Sequence, residues 1–146
     1  MMRVLSVVAA IAVGATAVYA QSAAIGQRKE AMKAIGGAMK EPGGMMKGEI
    51  PFDLAKVQAS LKIITDGTPK LPALYPDDSK TGGETQALPI IWESKDEFTG
   101  IYQKLEVDAK AAAVAIKDEA SFKTEWPKIG ANCGTCHKKF RQPPKT

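Results

Sequence analysis

Beyond residue 20, apolar side chains recur at helical rather than strand spacing. Between about Ala23 and Lys40, Ile25, Met32, Ile35 and Met39 fall on one helical face. Gly36-Gly37 weakens that helix, and Pro42-Gly43-Gly44 is expected to end or bend it. A second stripe, Leu54, Val57, Leu61 and Ile64, follows the N-cap residue Asp53 and stops at Gly67. A third helix begins near Ser94, with Phe98, Ile101, Leu105, Ala109, Ala112 and Ile116 as its seam. Its interior is rich in alanine, lysine and glutamate, all good helix formers. The fourth starts between Ser121 and Thr124 and reaches about Arg141. Pro127 is tolerated in it only within a first turn, which favours Thr124 as the cap. No segment alternates with period two. The pattern predicts an all-α protein, an antiparallel four-helix bundle. The proline-rich stretch from Gly67 to Pro89, without visible periodicity, forms its long crossover loop between helices 2 and 3.

The first twenty residues are of another kind. Arg3 precedes the uncharged apolar run Val4 to Val18, and Val18-Tyr19-Ala20 has the form of a cleavage site. The run falls short of the roughly 20 residues a spanning helix needs. Residues 1–20 therefore read as a signal peptide, and 21–146 as one exported, periplasmic four-helix-bundle domain with no membrane span. Only Arg3 among the charged residues leaves with the leader, so the formal charge of +4 becomes +3. A balance that mild, without a clustered basic face, gives no support for nucleic-acid binding.

Composition narrows the chemistry further. The whole chain has 146 residues, 45% apolar and 25% charged, which suits one domain. Two cysteines cannot staple a disulfide-rich miniprotein, and one histidine excludes any site built on two imidazoles. Those three rare residues lie within five positions, as Cys133-Gly134-Thr135-Cys136-His137.

That run is C-x-x-C-H, the attachment signature of c-type haem. Cysteines three apart on a helix present both thiols on roughly one face. Each can add across a haem vinyl group to form a thioether, while His137 offers its imidazole as proximal iron ligand. A thioredoxin-like redox pair would want a βαβ context, and structural zinc would want a further Cys or His ligand that the chain lacks. A simple Cys133–Cys136 disulfide would leave the adjacent His137 unexplained. With no second imidazole, the sixth iron position falls to methionine, a weaker side chain, water, or nothing. Met32, Met39, Met45 and Met46 remain after export. Met45 and Met46 are expected outside the first helix, and methionines on a helical stripe are ordinarily core.

Over essentially the whole mature chain these residues resemble the class II cytochromes c, the cytochrome c′ and cytochrome c-556 family. The resemblance is carried by Gln27-Arg28-Lys29-Glu30-Ala31-Met32, Pro51-Phe52-Asp53, Pro89-Ile90-Ile91-Trp92, and Ile129-Gly130 with Cys133, Cys136, His137, Phe140 and Arg141. It implies one covalent haem c near the C-terminus of an antiparallel four-helix bundle. In the low-spin c-556 branch a helix-one methionine is the sixth ligand, and Met32, four residues after Arg28, matches its position. The resemblance further implies that Arg28 pairs with a haem propionate, an exposed arginine being the plain alternative. It casts Trp92, Trp126 and Phe140 as core residues flanking the haem. The function it implies is single-electron transport, not enzymatic catalysis, with redox proteins as partners. The alternative branch, cytochrome c′, keeps a five-coordinate iron that binds nitric oxide or other small gases, and many of its members are homodimers. Lys123, Lys128, Lys138, Lys139, Arg141 and Lys145 make the last segment basic, suited either to an acidic redox partner or to plain solvation.

Overall fold

The first apolar stripe forms α1, residues 23–38, in the computed structural model, which describes residues 23–143. The signal-peptide assignment for 1–20 lies outside the described residues. The inner face of α1 carries Ile25, Arg28, Ile35 and Ala38, all buried, with Met32 half-buried among them. Helix α2, Lys40–Met46, follows after the single residue Met39. Met39 keeps right-handed helical backbone angles, and Gly43 N–H donates to its carbonyl at 3.0 Å. The expected break at Pro42 is therefore displaced to Met39, and Met45 and Met46 are helical. Pro42 is the third residue of the new helix, where its missing N–H costs nothing. Gly48, at φ +73°, turns the chain after α2 and donates to the Met45 carbonyl at 3.1 Å.

Helix α3, Leu54–Gly67, is capped as the sequence predicts: the Asp53 side chain accepts from Lys56 N–H at 3.1 Å. It buries Val57, Leu61 and Ile64. At its end a Cβ on Gly67 would stand 3.3 Å from Ile35 Cδ1, so glycine lets α1 and α3 approach. The crossover that follows is less irregular than expected. Three single 3-10 turns, Thr68–Lys70, Pro72–Leu74 and Asp77–Ser79, present Thr68, Leu71, Tyr75 and Ser79 to the core at helix-like spacing.

After the short α4, Ile90–Glu93, comes α5, Lys95–Ala115. Its buried seam is Phe98, Tyr102, Leu105, Ala109 and Ala112, so Tyr102 takes the inner place expected of Ile101. Helix α6, Glu119–Phe140, begins earlier than Thr124. A capping box starts it: Asp118 accepts from Ser121 N–H at 2.8 Å, and Ser121 Oγ accepts from Asp118 N–H at 3.1 Å. Pro127 consequently lies inside the helix, where packing of Phe122, Trp126 and Ile129 on both sides outweighs the lost hydrogen bond. α1 with α2, α3, α5 and α6 form the four-helix bundle, and none of the described helices is long and apolar enough to cross a membrane. The end of the crossover closes on the end of α6, through Leu88 N–H to the Phe140 carbonyl (3.0 Å) and Gln142 N–H to the Gln86 carbonyl (2.7 Å).

The Asp118 cap gives a pH prediction. Hydrogen bonds from the Ser121 hydroxyl and backbone hold its carboxyl below the usual carboxylate range. A depressed folded-state pKa contributes stability above the unfolded value of about 3.9 that disappears as pH falls through the folded value. Asp118→Asn keeps a capping oxygen without the charge. In thermal melts it should be less stable than the parent near neutrality, with the two converging as pH approaches about 2. A gap that stays constant across the range would contradict this assignment.

Candidate haem site

The last two turns of α6 carry the C-x-x-C-H residues. Cys136 is buried; Cys133 and His137 are half-buried. Both thiols are free, so the disulfide alternative is not realised. Among the described residues no group of three or more His, Cys, Asp or Glu side chains is placed to hold a metal ion, against the zinc alternative. Burial pushes the Cys136 thiol up to about 11 and that of Cys133 upward as well, so both are S–H groups near neutrality. Burial, aided by the Arg141 cation, pulls His137 down and keeps its imidazole neutral, the form that ligates iron.

Met32 is brought to this end of the bundle from α1. Its Sδ accepts a hydrogen bond from the Tyr102 hydroxyl at 3.9 Å, and the same hydroxyl interacts with the Cys136 thiol and with Tyr75. One α5 hydroxyl thus bonds the α1 thioether and lies within electrostatic reach of the α6 motif. Met39, at the junction of α1 and α2, lies about 10 Å farther along the same stripe and packs against the core, while Met45 is buried in α2.

Arg28, one turn before Met32, is only 2% exposed, which rules out the solvated alternative. It donates to Ser79 Oγ (3.0 Å), the Ser79 carbonyl (3.0 Å) and Thr85 Oγ1 (2.9 Å), all neutral oxygens. The rings of Tyr75 and Trp92 stand 4.8 and 5.6 Å from its guanidinium carbon. Burial lowers its pKa, an effect the Tyr75 hydroxyl partly opposes. Arg28 therefore clamps the crossover to α1. Replacing it by alanine leaves the buried Ser79 carbonyl without its donor and unties Thr85 from α1, and tryptic cleavage at the exposed Lys80 should quicken about tenfold. An unchanged cleavage rate would remove the clamp.

Phe140 is buried and packs edge-on against Phe98 at 5.2 Å, and the half-buried Trp92 packs against Tyr75 at 6.0 Å. Trp126 is buried in the same core, ten residues before Cys136 and about 15 Å along the axis, beside Phe122. The basic C-terminal segment is also partly neutralised, because Lys123, Lys128 and Lys139 pair with Glu119, Glu125 and Glu97. The apolar pattern of the sequence alone does not single out Tyr102, Tyr75, Ser79 or Thr85. Tyr102 could have been found, since it stands four residues after Phe98 and three before Leu105.

The donor set fits a covalently bound haem: two free thiols one helical turn apart, a neutral imidazole beside them, and an inward thioether joined to the motif by a shared hydroxyl. Fold and site together define a c-type haem bundle. A family profile described as Cytochrome C′ matches residues 23–141, and the chain belongs to that family. It is 46% identical over 140 residues to a cytochrome c′ of Rhodopseudomonas palustris, covering 96% of each chain. It is 38% identical over 144 residues to a cytochrome c-556 of Agrobacterium fabrum, covering 96% of this chain and 97% of that one. A solved structure of Rhodopseudomonas palustris cytochrome c′ superimposes with a TM-score of 0.82 at 49% identity, over 84% of this chain and 98% of that one. The cofactor of the family is haem c, covalently attached and carrying iron.

Proposed function

We propose that this protein is a periplasmic electron carrier in which Cys133 and Cys136 hold the haem by thioethers and His137 and Met32 are the axial iron ligands. Bound haem supplies a one-electron ferric–ferrous couple. The protein supplies everything that tunes it. His137 enters neutral, so no proton need leave when it ligates. Met32 offers a soft thioether, which raises the potential relative to harder ligands. Phe98, Phe140 and Tyr75 exclude water, and an apolar surround disfavours the extra positive charge of the ferric state. Arg28 places a buried cation on the face of α1 that also bears Met32, where a propionate would complement it. None of this calls for a substrate pocket, a general base or a nucleophile.

The observation that supports this reading most is the Met32 sulfur turned inward onto a hydroxyl that also meets Cys136. Carbon monoxide titration of the ferrous protein tests it, and slow, weak binding is expected because the sixth position is filled. A second reading, a five-coordinate gas-binding cytochrome c′, is favoured by the relative at 46% identity bearing that name. It requires prompt carbon monoxide binding and a high-spin ferric spectrum, with Met32 merely lining an apolar pocket.

A further inference from the structure

The Tyr102 hydroxyl faces two functional groups at once, a combination that packing does not require. Phenylalanine would fill the same space between Phe98, 5.0 Å away edge-on, and the rest of the α5 seam. The side chain is 6% exposed, so its oxygen has little access to water and must find partners inside. One of them is Met32 Sδ at 3.9 Å. A thioether has no hydrogen to give, so in this pair the hydroxyl donates and the sulfur accepts. The others are the Tyr75 hydroxyl and the Cys136 sulfur, each placed to accept from the Tyr102 hydroxyl.

We propose that Tyr102 is a positioning and tuning residue for the Met32 thioether, donating a hydrogen bond to the sulfur that would hold the haem iron. This deepens the reading of Met32 as an axial ligand and rests on it. The physical effects are two. Methionine has three rotatable bonds and fills space in many ways, so one directed contact restricts where its sulfur points. A donor on the sulfur also withdraws electron density, making it a poorer partner for ferric than for ferrous iron and raising the reduction potential. The device needs one hydroxyl from α5 and one thioether from α1.

Tyr102→Phe removes the oxygen and keeps the ring. The haem-loaded variant should remain low-spin, and its ferrous-to-ferric ratio at a fixed poise should fall about fivefold, the size of one ordinary hydrogen bond. The same substitution in a Met32→Leu background should leave that ratio unchanged, because the group through which Tyr102 acts is gone. An unchanged or raised potential in Tyr102→Phe, or an equal fall in the Met32→Leu background, would overturn the proposal while leaving the axial reading intact. A high-spin ferric spectrum in the unsubstituted protein would overturn the axial reading and this proposal with it. If Tyr102→Phe proved too unstable to load haem, Tyr102→Leu would keep an apolar side chain without a donor or an iron ligand, and the same two outcomes would decide.

Discussion

Replacing Met32 by alanine is expected to turn a low-spin, six-coordinate haem into a high-spin one that binds carbon monoxide readily. Thioether ligation is a single bond supplied by a single side chain, so its loss is all-or-none in the absorption spectrum. The bundle should survive. Met32 is only half-buried, and truncating it costs about 2 kcal/mol, the low end for methionine to alanine. Domains of this size are stable by roughly 5–15 kcal/mol. Met39→Ala is the matched control: it removes the same chemistry from the same stripe, one and a half to two turns farther on. Its spectrum should stay low-spin while its melting temperature falls. A low-spin spectrum that survives Met32→Ala and collapses in Met39→Ala would exchange the two roles.

Substituting both Cys133 and Cys136 by alanine should abolish covalent haem outright, read as loss of haem stain on a denaturing gel after expression with a cytochrome c maturation system. The single variants separate the two bonds: each should keep a weaker stain through its one remaining thioether. Burial holds both groups as S–H rather than thiolate, the form that adds across a vinyl group with its own proton. Undiminished stain in the double variant would place the attachment elsewhere. No other cysteine exists in the chain to provide it.

Much of this was readable from residues alone, for identifiable reasons. The α3 stripe and its Asp53 cap follow directly from local chemistry, and the structure reproduces both. The C-x-x-C-H run is legible because its spacing is a matter of covalent reach rather than of tertiary packing. The failures lie where tertiary structure overrides local preference. Pro127 looked like a helix start, yet the Asp118–Ser121 box lies nine residues upstream and the apolar neighbours of Pro127 hold the turn closed. Pro42 looked like a helix end, but it sits in a first turn that tolerates it. Ile101 is more apolar than its neighbour Tyr102, and only packing shows that Tyr102 is the one that faces inward. The crossover is legible as a loop, but its inner order is not. What organises it is Arg28, fifty-one residues before Ser79, through hydrogen bonds that no local pattern reveals.

The ferric absorption spectrum of the haem-loaded, otherwise unmodified protein bears most directly on whether Met32 completes the iron coordination. Six-coordinate His137–Met32 ligation predicts a low-spin spectrum with the weak near-infrared band of a thioether bound to ferric iron. A high-spin spectrum without that band, with carbon monoxide bound promptly on reduction, would contradict it.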